Sequence, residues 1–168
     1  SISLSAFHHR YERLRTIEAV GSGLTLSNGA EGRLSGFEAW GDLMPMDDWR
    51  LVWGVAHMRH STEVVPGRAN LGEDPLGNNP RRTASLRSLA NLGANVQLDL
   101  FARYVGRLPA PSIPSYTQLS ARVGWRPSKQ LELSLVASNM LDPHVEFGGP
   151  AVRAIFGHSY LAKATWSF

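Results

Sequence analysis

The side chains best suited to metal binding or acid–base chemistry in this sequence are its six histidines, because it contains no cysteine. The most closely spaced are His8 with His9 and His57 with His60. Residues that are adjacent or three apart on a β-strand point to opposite faces, so neither pair can converge on one ion. The lack of cysteine also excludes disulfides, thiolate metal sites and cysteine nucleophiles. We therefore expect no metal and no cofactor.

The sequence also lacks a recognisable catalytic motif. A serine–histidine–aspartate set can be assembled from any chain with six histidines and many serines, but no nucleophile elbow supports one here. The segment Gly21-Ser22-Gly23 is too short for a phosphate-binding loop, and no helix pattern follows it. We expect that the protein is not an enzyme.

The elements that would position any site are β-strands, because apolar and polar residues alternate with a period of two along most of the chain. In the last and clearest segment, polar residues separate a row of apolar ones: Tyr160, Ala162, Ala164, Trp166 and Phe168. The pattern predicts no helix and about eight strands, at residues 1–15, 29–43, 49–55, 84–92, 96–104, 118–125, 131–138 and 160–168.

Length and composition fit one β-rich domain. The 168 residues are 43% hydrophobic and only 18% charged, and 16 glycines and 10 prolines favour turns over long helices. The net charge is +3, with 15 of the 17 basic residues being arginine. These arginines are scattered rather than grouped in a stripe, so we do not expect a nucleic-acid partner.

Short and long connections alternate between the predicted strands. The short ones cover residues 44–48, 93–95 and 127–130, and the long ones cover 17–28, 63–80, 106–115 and 142–153. Nothing in the architecture of a soluble β-sandwich requires short and long connections to alternate. A transmembrane β-barrel, by contrast, has short periplasmic turns and longer extracellular loops. The sequence therefore predicts antiparallel, up-and-down strands of a transmembrane β-barrel, in a single segment that spans residues 1–168.

Aromatic residues stand at both ends of the predicted strands, as in the aromatic girdles of membrane barrels. Those beside the short turns or at the C-terminus are Trp49, Trp125, Trp166 and Phe168. Those beside the long loops are Tyr104, Tyr116 and Tyr160. We expect all seven at the membrane interfaces.

Five stretches, in order along the chain, resemble elements of one family. They are Gly36-Phe37-Glu38-Ala39-Trp40 following Ser27-Asn28-Gly29-Ala30, Trp49-Arg50-Leu51, Pro80-Arg81-Arg82-Thr83-Ala84, Ser138-Asn139-Met140-Leu141-Asp142-Pro143-His144 with Glu146-Phe147, and Thr165-Trp166-Ser167-Phe168. With them, the chain resembles the C-terminal part of the β-barrel of a TonB-dependent outer-membrane receptor.

The resemblance implies a role in a larger protein of the Gram-negative outer membrane. The family takes up scarce nutrients actively, typically ferric siderophores, cobalamin or sugars, through 22-stranded barrels that contain a plug. The chain has no candidate for the plug domain, so contact with the TonB complex would be made only by the missing N-terminal part. Implied partners of the chain itself are outer-membrane lipid and, through its C-terminal strand, the barrel-assembly machinery.

Five residues in or beside the long connections are candidates for facing a ligand: Arg68, Arg81, Arg82, Arg107 and His144. The arginines could attract an anionic ligand at an extracellular mouth. A solvated loop rim is the favoured interpretation of Arg68, Arg81 and Arg82. The sequence does not identify the transported substrate.

Two other functions remain open from the sequence. One is a stand-alone eight-stranded outer-membrane protein with a structural or adhesive role, since an even number of strands is the bacterial rule. The other is a soluble, lipocalin-type barrel whose apolar faces point inward. Substitution of Leu98, Val123 or Leu133 by arginine would separate the membrane barrels from the soluble one. At a lipid-facing position, arginine costs about 2–4 kcal/mol of stability near the bilayer midplane. A soluble cup would instead lose ligand binding.

Overall fold

Every regular element in the computed structural model, which describes residues 1–149 and 151–168, is a β-strand. The strands are β1 (Ile2–Val20), β2 (Gly23–Met46), β3 (Trp49–Val64), β4 (Arg82–Asn91), β5 (Val96–Val105), β6 (Leu108–Pro109), β7 (Ser112–Ile113), β8 (Tyr116–Trp125), β9 (Leu131–Ser138), β10 (His144–Val145), β11 (Ile155–Phe156) and β12 (Ser159–Trp166). Within the described ranges, no helix is long and apolar enough to cross a membrane. Pro150, in the predicted connection 142–153, lies outside the described residues.

Eight strands form one antiparallel sheet in the order β1-β2-β3-β4-β5-β8-β9-β12. Each strand pairs with the next long strand along the chain, which is an up-and-down topology. The four short strands form two separate ladders, β6 with β7 and β10 with β11, inside long connections. The prediction of an all-β, antiparallel fold with eight long strands is confirmed.

The sheet is open over the residues that the structure describes. Strands β1 and β12 are its two edges, and each pairs with a single neighbour. An eight-stranded barrel or a lipocalin cup needs its first and last strands to pair with each other, because closure removes the free edges. This topology therefore disfavours both stand-alone alternatives.

The two ends of the strands differ in their connections. At one end, which we call the turn edge, residues 47–48, 92–95 and 126–130 join β2 to β3, β4 to β5 and β8 to β9. At the opposite end, the loop edge, residues 65–81, 106–115 and 139–158 make the longer connections. The predicted alternation of short and long connections is present for these six.

The connection between β1 and β2 departs from the prediction. Residues 17–28 were expected to form a long loop, but the two strands continue to pair until only Gly21 and Ser22 separate them. Gly21 has a φ of +57°, the left-handed conformation that a tight turn requires and glycine adopts without strain. Gly21 and Ser22, inside the predicted loop 17–28, are therefore the turn of a long hairpin.

The pairing register gives the sheet two unlike faces, because residues directly opposite each other in a ladder lie on the same face. On one face, which we call the apolar face, Leu98 pairs with Ala90 and Val123, and Val123 pairs with Leu135. The other, which we call the polar face, carries the intervening side chains, among them Gln97, Asp99, Arg122, Ser134 and Lys163.

The apolar face is not covered by any other part of the described chain. Leu86, Val123 and Leu135 are 46%, 45% and 57% exposed. The only buried hydrophobic residues among those described are Ala30 and Ile113. A contiguous apolar surface of this kind is unfavourable in water and marks a face that meets another protein or a membrane.

Candidate functional site

A cluster of four polar and aromatic side chains lies on the polar face near the loop edge. Nη2 of Arg103 donates to the hydroxyl oxygen of Tyr116 at 3.0 Å and to Oε1 of Glu146 at 2.8 Å. The His144 ring stacks on Tyr116, with 4.0 Å between centroids, and its Nε2 lies 3.1 Å from the same Glu146 oxygen. The cluster ties the connection 139–158 to strands β5 and β8.

Electrostatics favour the charged form of Glu146 in this cluster. Burial alone would raise the pKa of this carboxyl, but the hydrogen bonds from His144 and Arg103, with the positive charge of Arg103, outweigh it. The pKa of Glu146 therefore lies below its usual range. Nε of Arg103 and Nδ1 of His144 are buried without a hydrogen-bond partner in the described chain. These two nitrogens give the cluster unused hydrogen-bonding capacity.

Asn139 directly follows β9 and fixes the connection that begins there. It is only 3% exposed and has a φ of +53°, a left-handed conformation that asparagine tolerates better than most residues. Its side-chain amide donates to the carbonyl oxygen of Phe156 at 2.7 Å. Asn139, which lies in one of the family-like stretches, thus has a structural role. It holds the two ends of the connection 139–158 together.

A second charged cluster lies on the polar face near the turn edge. Arg122 on β8 makes ion pairs with Asp99 on β5 at 3.1 Å and with Glu132 on β9 at 2.7 Å. Arg126 contacts the same Glu132 at 2.9 Å. None of these residues is among the predicted site residues, although the alternation within three neighbouring strands places Asp99, Arg122 and Glu132 on one face.

The five candidate ligand residues occupy three separate places. Arg81, Arg82 and Arg107 come together around a cavity of about 280 Å³ at the loop edge, which is also lined by Arg59 and His57. Arg68 is elsewhere, paired with Glu18 of the long hairpin at 3.2 Å. His144 belongs to the cluster around Glu146. The prediction thus grouped residues that do not share a site and missed Arg59, which lies on β3.

Six of the seven predicted interface aromatics lie on the apolar face or just beyond it. Trp49, Trp125 and Trp166 are on the apolar face at the turn edge, Tyr104 and Tyr160 on the same face at the loop edge, and Phe168 follows the end of β12. Tyr116 differs from the prediction, because its register places it on the polar face with Arg103. Its position beside a loop did not reveal which face its ring would take.

The two closely spaced histidines of β3 do not come together in the part of the chain that the structure describes. His57 and His60 lie on opposite faces of β3, since His57 pairs with Phe37 whereas His60 pairs with Leu34 and contacts Asp74 at 3.3 Å. In residues 1–149 and 151–168 there is no group of three or more possible metal-binding side chains.

Comparison with known proteins identifies the family. The family model described as "TonB dependent receptor-like, beta-barrel" matches residues 1–140, most of the 168-residue chain. No curated protein matches the chain.

Three solved structures share the fold. The ferric-catecholate import receptor Fiu from Escherichia coli K12, in its closed form, has a TM-score of 0.78 and 18% identity, covering 99% of this chain and 25% of that chain. The siderophore receptor PiuA from Acinetobacter baumannii has a TM-score of 0.75 and 18% identity, with 98% and 26% covered. FpvAI, in complex with pyocin S2, has a TM-score of 0.76 and 12% identity, with 99% and 25% covered.

The extent of these matches fits the architecture described above. The chain spans about a quarter of the length of each solved structure, which agrees with eight strands that form an open sheet instead of a closed barrel. With the family match over residues 1–140, these features establish that the chain belongs to the TonB-dependent receptors, as part of their β-barrel.

Proposed function

We propose that this chain forms part of the barrel wall of an outer-membrane receptor that takes up a ferric siderophore. The observation that carries the proposal is the open sheet with one apolar and one polar face. Almost the whole of this chain matches about a quarter of each of two solved receptors. One of those receptors is named as an importer of ferric catecholates and the other as a siderophore receptor. TonB-dependent receptors are transporters and not enzymes, so the chain's role is in transport.

The apolar face would lie against lipid in the outer membrane. Its exposed side chains, such as Val123 and Leu135, need a surrounding medium without water, and hydrocarbon supplies it. The tryptophans of the turn edge would then lie at the periplasmic interface, and Tyr104 and Tyr160 at the outer one. Phe168 would serve in recognition by the barrel-assembly machinery.

The polar face would line the lumen of the complete barrel. The ion pairs around Arg122 would stiffen its periplasmic half, where three strands are held together by alternating charges. The cluster of Arg103, Tyr116, His144 and Glu146 would stand at the extracellular end, where a ligand enters. Of the predicted ligand-facing residues, His144 is the one whose place supports that role.

Coupling to the TonB complex is proposed for the receptor as a whole. The family implies such a partner, and this chain of eight strands would contribute the wall alone, as the single segment 1–168 without a plug domain. The alternative of a small structural or adhesive barrel is not favoured, because β1 and β12 are free edges.

Uptake of radioactive iron tests the proposal. Deletion of the gene for the native polypeptide that carries this chain should abolish uptake from at least one class of ferric siderophore in a panel of catecholates and hydroxamates. An uncoupler that dissipates the proton-motive force should have the same effect on the wild type. Uptake of a small sugar through general porins is the control and should persist after the deletion. Unchanged uptake of every siderophore would contradict the proposed function.

A further inference from the structure

We propose that the strand beside β1 in the complete barrel pairs with it only along residues 2–10, and that the connection 65–81 closes the edge of β1 beyond them. The inference rests on the proposed function in one respect, namely that a larger barrel provides a strand at this edge. It adds the point at which the pairing with that strand ends and the part of this chain that ends it.

The first part of β1 directs unused backbone groups towards its free edge. The nitrogen of Ser1 donates to the carbonyl oxygen of Asp42 at 2.6 Å, and the N–H of Asp42 donates to the carbonyl oxygen of Ser1 at 2.9 Å. Hydrogen-bonded and non-hydrogen-bonded pairs alternate along an antiparallel ladder, so every second residue after Ser1 turns its N–H and C=O away from β2. These residues are Ile2, Leu4, Ala6, His8 and Arg10. Within the described ranges no strand pairs with that side of β1, so a further antiparallel strand can bond to them.

A β-bulge interrupts β1 directly after this stretch. The step from Tyr11 to Leu14 in β1 lies opposite the shorter step from Gly32 to Ala30 in β2, and Arg13 has a φ of +58°. A bulge disrupts the ladder locally and often ends pairing at the rim of a barrel. A strand that pairs with residues 2–10 would therefore lose its register at the bulge.

Beyond the bulge, the connection that follows β3 occupies the free edge itself. The N–H of Ile17 donates to Oδ1 of Asn70 at 3.1 Å, and the N–H of Leu71 donates to the carbonyl oxygen of Ile17 at 2.8 Å. Val20 and Gly23 flank the two-residue turn, and alternation from that pair also places the backbone groups of Ile17 on the side away from β2. We call this contact of Asn70 and Leu71 with Ile17 the hook.

The connection is anchored to the sheet on both sides of the hook. Before it, Arg68 forms an ion pair with Glu18 of β1 at 3.2 Å. After it, the connection returns to β3, where the hydroxyl of Thr62 donates to Asp74 at 2.7 Å. The hook is therefore a held contact of the folded chain.

A neighbouring strand cannot continue along β1 past the hook. Paired strands lie about 4.8 Å apart, which is the space that Asn70 and Leu71 fill, and the groups of Ile17 that a strand would bond are already taken. Proteins cover a strand edge with a loop where no strand covers it, because a bare edge invites pairing with other chains. The hook thus fits an edge outside the ladder of the barrel, and residues 17–26 form an arm that only this chain supports.

Amide hydrogen exchange of the full native polypeptide in lipid nanodiscs tests the proposal, with single-residue resolution from electron-transfer fragmentation. The amides of Leu4, Ala6 and His8 should exchange slowly, because the neighbouring strand accepts their hydrogen bonds. The amide of Ala19 faces the same edge beyond the hook and should exchange about a hundredfold faster or more. This comparison is made within the wild type and needs no variant.

Asn70→Ala tests the hook itself. It removes the acceptor of the Ile17 amide, which should then exchange about tenfold faster. Asn79→Ala is the matched control, because Asn79 lies in the same connection but donates to the carbonyl oxygen of Leu76, within the connection, at 2.9 Å. It should leave the exchange of the Ile17 amide unchanged.

Two results would overturn the inference. An Ala19 amide that exchanges as slowly as that of Leu4 would mean that the neighbouring strand continues past the hook. Equal effects of the two variants on Ile17 would mean that Asn70 does not close the edge. Rapid exchange at Leu4, Ala6 and His8 in the wild type would instead mean that no strand joins β1, which contradicts the proposed function. The two failures are therefore distinguishable.

Discussion

The exposure of the Leu135 side chain indicates the medium that surrounds the apolar face of the sheet. Leu135 lies in β9 between Val123 and Ala162 on the apolar face, and it is 57% exposed. In water, replacing such an exposed leucine with a charged residue would cost almost nothing. In hydrocarbon, the same change forces a cation into a medium that cannot solvate it.

We therefore expect Leu135→Arg to lower the free energy of unfolding by about 2–4 kcal/mol in lipid vesicles. Ser134→Arg, one residue away on the polar face, should cost much less, because we propose that this face lines the water-filled lumen. Urea titration of the native polypeptide in vesicles measures both values. Equal costs for the two variants would mean that the apolar face does not meet lipid.

The charged state of Glu146 sets the pH range over which its connection stays attached. Its pKa lies below the usual range, so the contacts with His144 and Arg103 contribute their full stability above the ordinary carboxyl pKa of about 4.3. That contribution is lost as the pH falls through the lowered pKa of the folded state. Acidification from neutral pH should therefore release the connection 139–158.

A spin label at Val152→Cys can report this release. Val152 is 73% exposed, so the label should not disturb packing. We expect the label to become more mobile at about pH 3 than at neutral pH. In a Glu146→Gln background, it should already be mobile at neutral pH and change little on acidification. An identical pH response in both backgrounds would show that another group controls the connection.

At the scale of the strands, Gly36 determines how closely β1, β2 and β3 approach. A methyl group at this position would collide with the carbonyl oxygen of His57 and come within 2.7 Å of the Phe7 ring. In the adjacent strand, a methyl group at Gly54 would meet nothing nearer than the Ser85 hydroxyl at 3.4 Å. The two glycines thus differ in the space around them, although both lie within strands.

Gly36→Ala should lower the free energy of unfolding by about 1–3 kcal/mol, the usual cost of overpacking. Gly54→Ala should be neutral or slightly stabilising, since glycine within a strand is unfavourable by about 0.5–1 kcal/mol relative to alanine. Urea titration in lipid vesicles compares the two variants. A stable Gly36→Ala would show that the strands can separate without cost.

The strands were largely predictable from the sequence, whereas their ends were not. Alternation identified all eight long strands because an apolar face must repeat every second residue. It ended at residue 55 in β3, although this strand continues to Val64, because His57 and Arg59 occupy apolar-face positions above the apolar band. Beyond that band the backbone ladder persists without an apolar pattern to reveal it.

The candidate site was less predictable because it depends on contacts between distant residues. His144 and Arg82 were recognised by type, but Tyr116 and Arg59, which lie beside them, come from other strands. The side taken by Tyr116 follows from the alternation within β8, where it shares a face with Gln118 and Arg122. The prediction used only its position beside a loop, so it did not take this alternation into account.

For the molecule as a whole, the exposed apolar face and the two free edges lead to the same conclusion. A sheet with almost no buried core among the described residues, and with a free strand edge at each side, needs lipid on one face and further strands at its edges. This chain spans about a quarter of each solved receptor, so a complete receptor has room for further strands. We therefore infer that the chain is one part of a larger β-barrel.

The mass of the native polypeptide in isolated outer membranes, detected with an antibody raised against this chain, tests whether the chain is part of a larger barrel. We predict a band of roughly four times the 18.4 kDa of this chain, because it covers about 25% of its structural relatives. The band should stay with the membrane after a high-salt wash and be released by detergent. A band near 18.4 kDa, or one in the soluble fraction, would contradict the account.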